Sequence, residues 1–296
     1  MINMDALYEA VAVRGPVCVG LDTAIEYIPQ RELARADTDQ AALLGFNRTI
    51  IDATIDVCAC YKVQIAYYEA LGLAGLQAYA QTLRYARGRG ALVVADIKRG
   101  DIADTAARYA KAHFEGDFEA DFVTLSPYMG MDSIEPWLDQ VRNRGKGAFV
   151  LMRTSNRGRR DFQERMLADG GRLHEAVGDR LDELAGQYHG DRGYGAIGAV
   201  VGCTEPDEAA SIRERRAGLF FLIPGYGAQG GGAAEAALLL RRGNGGIVNA
   251  SRSILRAWTG RADGQQADFA VVAESARSTV TTMRDDIAAA CAAGGR

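Results

Sequence analysis

Short apolar runs alternate with stretches of helical periodicity along nearly the whole chain. The runs are Pro16-Val-Cys-Val-Gly-Leu-Asp22, Cys60-Tyr-Lys-Val-Gln-Ile65, Ala91-Leu-Val-Val-Ala-Asp96 and Phe122-Val-Thr-Leu-Ser-Pro127. Ala148-Phe-Val-Leu-Met-Arg153, Ala196-Ile-Gly-Ala-Val-Val201, Leu219-Phe-Phe-Leu-Ile-Pro224 and Gly246-Ile-Val-Asn-Ala250 complete the series. Each is short enough for a buried strand and is followed by sequence with helical spacing of apolar positions. Helices are predicted over 39–57, 69–89, 102–114, near 132–143, and over 205–216, 233–241 and 268 to about 292. The longest connection, about 40 residues after Arg153, is not structureless, because Leu173, Val177, Leu181 and Leu184 fall at helical spacing. Eight strand–helix units in 296 residues predict an α/β fold, a single (β/α)8 TIM barrel over 1–296. A doubly wound open sheet would show G-x-G-x-x-G after its first strand, and Val19-Gly-Leu-Asp22 offers none.

Composition narrows the function. A hydrophobic content of 48% fills a large core, and a net charge of -4 leaves no basic footprint for nucleic acid. The cluster Arg157, Arg159 and Arg160 reads as a solvated loop. No secretory signal is expected at the N-terminus, and apolar runs such as Leu219-Phe-Phe-Leu-Ile223 fall far below the ~18 residues of a spanning helix. A soluble, cytoplasmic protein is expected. Of five cysteines none forms C-x-x-C, and Cys58-Ala-Cys60 has no histidine nearby, so buried, reduced thiols and no metal are expected.

The chemistry gathers where strands end, which in such a barrel is the active-site mouth. The first strand ends in Asp22, the second in Lys62 and Gln64, and the third in Asp96, Lys98 and Asp101. The fifth ends in Thr154-Ser-Asn156 and the eighth in Ser251-Arg-Ser253. Taken singly these have simpler uses. Asp22 closes a turn, Lys62 snorkels its amine to solvent, Asp101 caps the helix that follows, and Asp96 pairs with Lys98. Chance does not readily put polar groups on one face of six strands. The seventh strand runs into Gly225-Tyr-Gly-Ala-Gln-Gly-Gly-Gly232, a glycine-rich turn in the slot where barrels hold phosphate, with Arg252 one strand later. A phosphorylated small molecule is implied.

Asp96 and Lys98, two apart on a strand, share one face. With Lys62 and Asp101 they would form an alternating array of two cations and two anions. Lys98 is the best candidate to deliver a proton to a developing carbanion, and Asp96 would face a substrate carboxylate. Two unit charges ~4 Å apart repel by about 4 kcal/mol at an effective dielectric of 20, which loss of CO2 would relieve. Carbanion stabilisation by the lysines is the firmer contribution.

These residues resemble a known family. Asp-Ile-Lys-Arg-Gly-Asp-Ile over 96–102 resembles the D-x-K-R-G-D-I motif of orotidine 5′-phosphate decarboxylases. Tyr61-Lys-Val-Gln64, Arg153-Thr-Ser-Asn156, Pro224-Gly-Tyr-Gly-Ala-Gln-Gly-Gly231 and Ser251-Arg-Ser-Ile254 resemble its other landmarks, in order, and point to the longer bacterial subgroup. The resemblance implies conversion of orotidine 5′-phosphate to UMP and CO2 without metal or organic cofactor. By position it makes Lys98 the proton donor to pyrimidine C6 and Asp96 the carboxylate facing the leaving CO2. Lys62 and Asp22 become the ribose contacts, Ser155 the pyrimidine contact, and Gln229, Gly230 and Arg252 the phosphate grip. It further implies a homodimer in which Asp101 and Thr105 reach the neighbouring subunit's site.

Val63, Arg157 and Asp104 depart from the residues common in the family, and altered loop geometry or kinetics is expected from them. The nearest alternative is a Mg2+-dependent sugar-phosphate decarboxylase or aldolase-like relative on the same scaffold, which Arg99-Gly100 and Thr154-Ser-Asn156 argue against. A Schiff-base lysine enzyme and a nucleotide-binding protein without turnover are further alternatives.

Overall fold

The computed structural model describes residues 2–227, 230–261 and 267–295. Eight parallel strands close a barrel in sequence order, β1 to β8. They are β1 Val17–Gly20, β2 Cys60–Gln64, β3 Leu92–Arg99, β4 Phe122–Leu125, β5 Gly147–Arg153, β6 Ile197–Val201, β7 Phe221–Ile223 and β8 Gly246–Ala250. Adjacent strands pair in parallel, and β8 closes on β1 through Val17 opposite Val248. The strands bury nearly every side chain, which is why they read as unbroken apolar runs rather than alternating ones. The predicted (β/α)8 barrel is the fold.

Helices lie outside the strands, with boundaries set by local chemistry. Thr38 caps the helix Asp39–Thr54 by accepting the Ala41 N–H at 3.1 Å. Asp268 caps the last helix, Phe269–Ala293, through the amides of Ala270 and Val271. The helical sequence over 69–89 splits into Ala66–Glu69 and Gly72–Gly88, where Gly72 takes a left-handed φ of 65°. Near 132–143 only Leu138–Arg144 is α-helical, after two 3-10 turns, and the helix predicted to 241 stops at Leu238.

The stretch before the first strand, over which no element is predicted, forms a helix, Asn3–Arg14. Its Met4, Leu7, Ala10 and Val11 pack among Cys18, Cys60, Phe122 and Phe220 of the barrel interior. Asn3 ties it to the chain just before β4 and β5, through the carbonyls of Asp121 and Gly145, and Arg14 to Cys58 just before β2. The helix therefore stops the N-terminal end of the barrel. Inside, Gly147 and Gly198 leave room for the rings of Phe122 and Phe149, where a Cβ would stand 2.5 and 2.9 Å from ring carbons.

Two further readings change. Arg159 is buried rather than solvated, because it pairs with Glu164 at 2.9 Å and with Glu205. Asp101 is not a helix cap: the helix Ala103–Phe114 begins after Ile102, and the Asp101 carboxylate accepts the adjacent Ile102 N–H at 2.9 Å. The five cysteines are buried and unpaired. No helix among the described residues is long and apolar enough to cross a membrane.

Candidate active site

With one end of the barrel stopped by a helix, the open mouth is at the C-terminal ends of the strands. A pocket of about 580 Å³ lies there, lined by Asp22, Lys62, Asp96, Lys98, Ser155 and Arg252 among others. Its floor is apolar, with Leu151, Val200 and Leu222 from β5, β6 and β7.

One chain of charges crosses the pocket. Lys62 Nζ stands 3.0 Å from Asp22 Oδ1 and 2.9 Å from Asp96 Oδ2. Lys98 Nζ reaches Asp96 Oδ1 at 2.6 Å. Gln64 and Thr124 also donate to Asp96, at 3.0 and 2.8 Å, and Ser251 donates to Asp22 Oδ2 at 2.8 Å. Burial alone would raise the Asp96 pKa. The charges of Lys62 and Lys98, with their hydrogen bonds, outweigh it and hold the carboxyl well below the usual carboxylate range. Burial likewise opposes the Lys62 charge, but Asp22 and Asp96 prevail and raise its pKa above the ordinary lysine value. Asp96 and Lys62 are thus held as an ion pair at neutral pH, at the centre of a wall of acidic and basic side chains over an apolar floor.

The order of that array differs from the expected one. Asp22, not Asp101, is the second anion within the chain. Asp101 and Thr105 lie outside the pocket, and Thr105 is exposed on the helix Ala103–Phe114. Asp96 and Lys98 do meet, but not through simple strand alternation, since Lys98 has a left-handed φ of 44°. The glycine loop also differs. The amides of Gly227, Gly230 and Gly231 bond carbonyls within the loop, and that of Gly232 bonds Glu235, so these four do not face a ligand free. Gly225 and Arg252 line the pocket, Gly230 does not, and Gln229 lies outside the described residues.

The connection after Arg153 folds back over the rim. Gln163 lines the pocket and is locked to Thr154, accepting its N–H and donating to its Oγ1, both at 2.9 Å. Arg153 and Arg172 both pair with Glu208, which anchors the segment to the helix Pro206–Arg215. Sequence reasoning missed Gln163, Thr124, Asn249, Tyr27 and Tyr67 as lining residues. Thr124 sits in a strand as an ordinary β-former, and Gln163 lies in a loop whose path no periodicity reports. Neither had a sequence signal.

Fold and pocket define a (β/α)8-barrel enzyme class with two lysines and two aspartates at the C-terminal mouth. The chain belongs to the orotidine 5′-phosphate decarboxylase / HUMPS family, whose model matches residues 15–267. It is 53% identical over 283 residues to orotidine 5′-phosphate decarboxylase of Clostridium perfringens, covering 96% of this chain and 97% of that one. The Clostridium kluyveri enzyme of the same name is 52% identical over 284 residues, 96% of each chain. The structure of Leishmania donovani OMP decarboxylase superposes with a TM-score of 0.72 at 35% identity, covering 96% of this chain and 99% of that one.

Proposed function

We infer that this chain is a carboxy-lyase that converts orotidine 5′-phosphate to UMP and CO2. The observation that carries the reading is the Asp22–Lys62–Asp96–Lys98 array standing in the pocket of a chain about half identical to named decarboxylases. Arg252, with Gln229, holds the phosphate at the β7–β8 side, Asp22 and Lys62 hold the ribose, and Ser155 holds the pyrimidine edge. The substrate carboxylate then lies against Asp96. The C6–carboxylate bond breaks, CO2 leaves over the apolar floor, and the electron pair stays at C6. Lys62 and Lys98 stabilise that charge, and the Lys98 ammonium protonates C6 and later regains its proton from water. Incubation with orotidine 5′-phosphate is expected to release UMP and CO2 in equal amounts; UMP without CO2, or neither, contradicts the reading.

The same reading makes the enzyme a cytosolic homodimer, with Asp101 and Thr105 completing the partner's site. In support, both stand outside the pocket of their own chain, and the intervening Ile102 is exposed. Asp101→Ala and Lys98→Ala chains, each impaired alone, are expected to recover about a quarter of wild-type activity when refolded together, because half the dimers are mixed and carry one intact site. No recovery would show that each chain completes its own site.

A further inference from the structure

Strand β3 slips against β4 between Ala95, opposite Val123, and Arg99, opposite Leu125. Asp96, Ile97 and Lys98 therefore face the single residue Thr124. A bulge of this kind bends a strand and re-aims its side chains. Here the amides of Ile97 and Lys98 both donate to Thr124 Oγ1, at 3.0 and 2.9 Å. The same hydroxyl donates to Asp96 Oδ1 at 2.8 Å, the oxygen that also receives Lys98 Nζ at 2.6 Å. A threonine hydroxyl has one donor and two lone pairs, so every bonding position of Oγ1 is used. Thr124 is buried, and Lys98 keeps a left-handed φ of 44°, a conformation that side chains seldom adopt without support.

We propose that Thr124 is a positioning residue for the decarboxylation: its hydroxyl fixes the bulge in which the Asp96 carboxylate and the Lys98 ammonium are presented side by side. The proposal rests on the decarboxylase reading above. The hydroxyl acts through Asp96 and Lys98, holding the lysine's backbone and one carboxylate oxygen at once. Pre-organisation of this kind bears on the transition state more than on substrate binding, because the Thr124 hydroxyl bonds to Asp96, Ile97 and Lys98 and to none of the proposed phosphate and ribose contacts.

The test compares wild type, Thr124→Val, which keeps shape and loses the hydroxyl, and Thr124→Ser, which keeps the hydroxyl. Thr124→Val is expected to lower kcat on the order of 10²-fold with KM and UMP affinity little changed. The acid limb of its kcat–pH profile moves to higher pH, because the carboxylate loses a donor. Thr124→Ser stays within a few-fold of wild type. Hydrogen exchange at the Ile97 and Lys98 amides, faster in Thr124→Val and not in Thr124→Ser, reads the same geometry without turnover. Unchanged kcat and exchange in Thr124→Val, or an equal loss in Thr124→Ser, would overturn the proposal. Should Thr124→Val not fold, Thr124→Cys, a weak donor and acceptor, takes its place with the same outcomes. Wild type that leaves orotidine 5′-phosphate untouched would overturn the decarboxylase reading instead, and the exchange measurement would still decide the geometry.

Discussion

Lys98→Ala is expected to lower kcat for orotidine 5′-phosphate by about 10⁴-fold or more, with UMP binding changed little. Two roles fall on one ammonium, stabilising the C6 carbanion and protonating it, and no other side chain in the array is free to take the second. Lys62 is held between two carboxylates, at 3.0 and 2.9 Å. The Lys98 side chain is 46% exposed, so its loss strands little buried charge, and Asp96 keeps Lys62, Gln64 and Thr124 as partners. The variant should fold as wild type does. Steady-state kinetics with calorimetric titration of UMP separates the two properties, and a loss of less than tenfold would remove Lys98 from the chemical step.

Lys62→Met carries the largest stability effect. The Lys62 side chain is only 6% exposed and lies between Asp22 and Asp96. Its removal leaves two carboxylates facing each other across a partly dry gap, at an expected cost of about 3–5 kcal/mol and a Tm lower by roughly 10 °C. Activity falls as well, since the carbanion loses one of its two cations. The pH dependence has a definite sign. Asp96 is held below its unfolded pKa, so its contribution is present above ~pH 4 and is lost as pH falls through the folded value. Lys62 is raised, so its contribution is present below ~pH 10 and is lost as pH rises through the folded value. Wild type therefore keeps both contributions through the neutral range. In the variant, protonation relieves the repulsion between the carboxylates. The stability gap from wild type should narrow as pH falls from neutrality toward ~5, as measured by urea unfolding. A gap that widens would show that the carboxylates do not interact as described.

The barrel was legible because buried parallel strands must be short and apolar, and because polar residues at their ends stand out against that background. Asp22, Lys62, Asp96, Lys98, Ser155 and Arg252 were found in this way, and all line the pocket. What was missed depends on contacts between distant segments. Met4, Leu7 and Val11 have helical spacing, but nothing local says that the helix folds under the barrel. Arg159 looks like any loop arginine until Glu164 and Glu205 enclose it. The glycine loop suggests free amides by composition, yet its own carbonyls occupy those of Gly227, Gly230 and Gly231. The slip of β3 against β4 places Lys98 through Thr124, and register is a property of two strands rather than one.

The most direct test follows the absorbance of orotidine 5′-phosphate with the purified chain in EDTA. Loss of substrate with matching gain of UMP, undiminished by the chelator, is the result this account predicts. A folded chain that binds UMP but leaves the substrate unchanged, or that works only after Mg2+ is supplied, would contradict it.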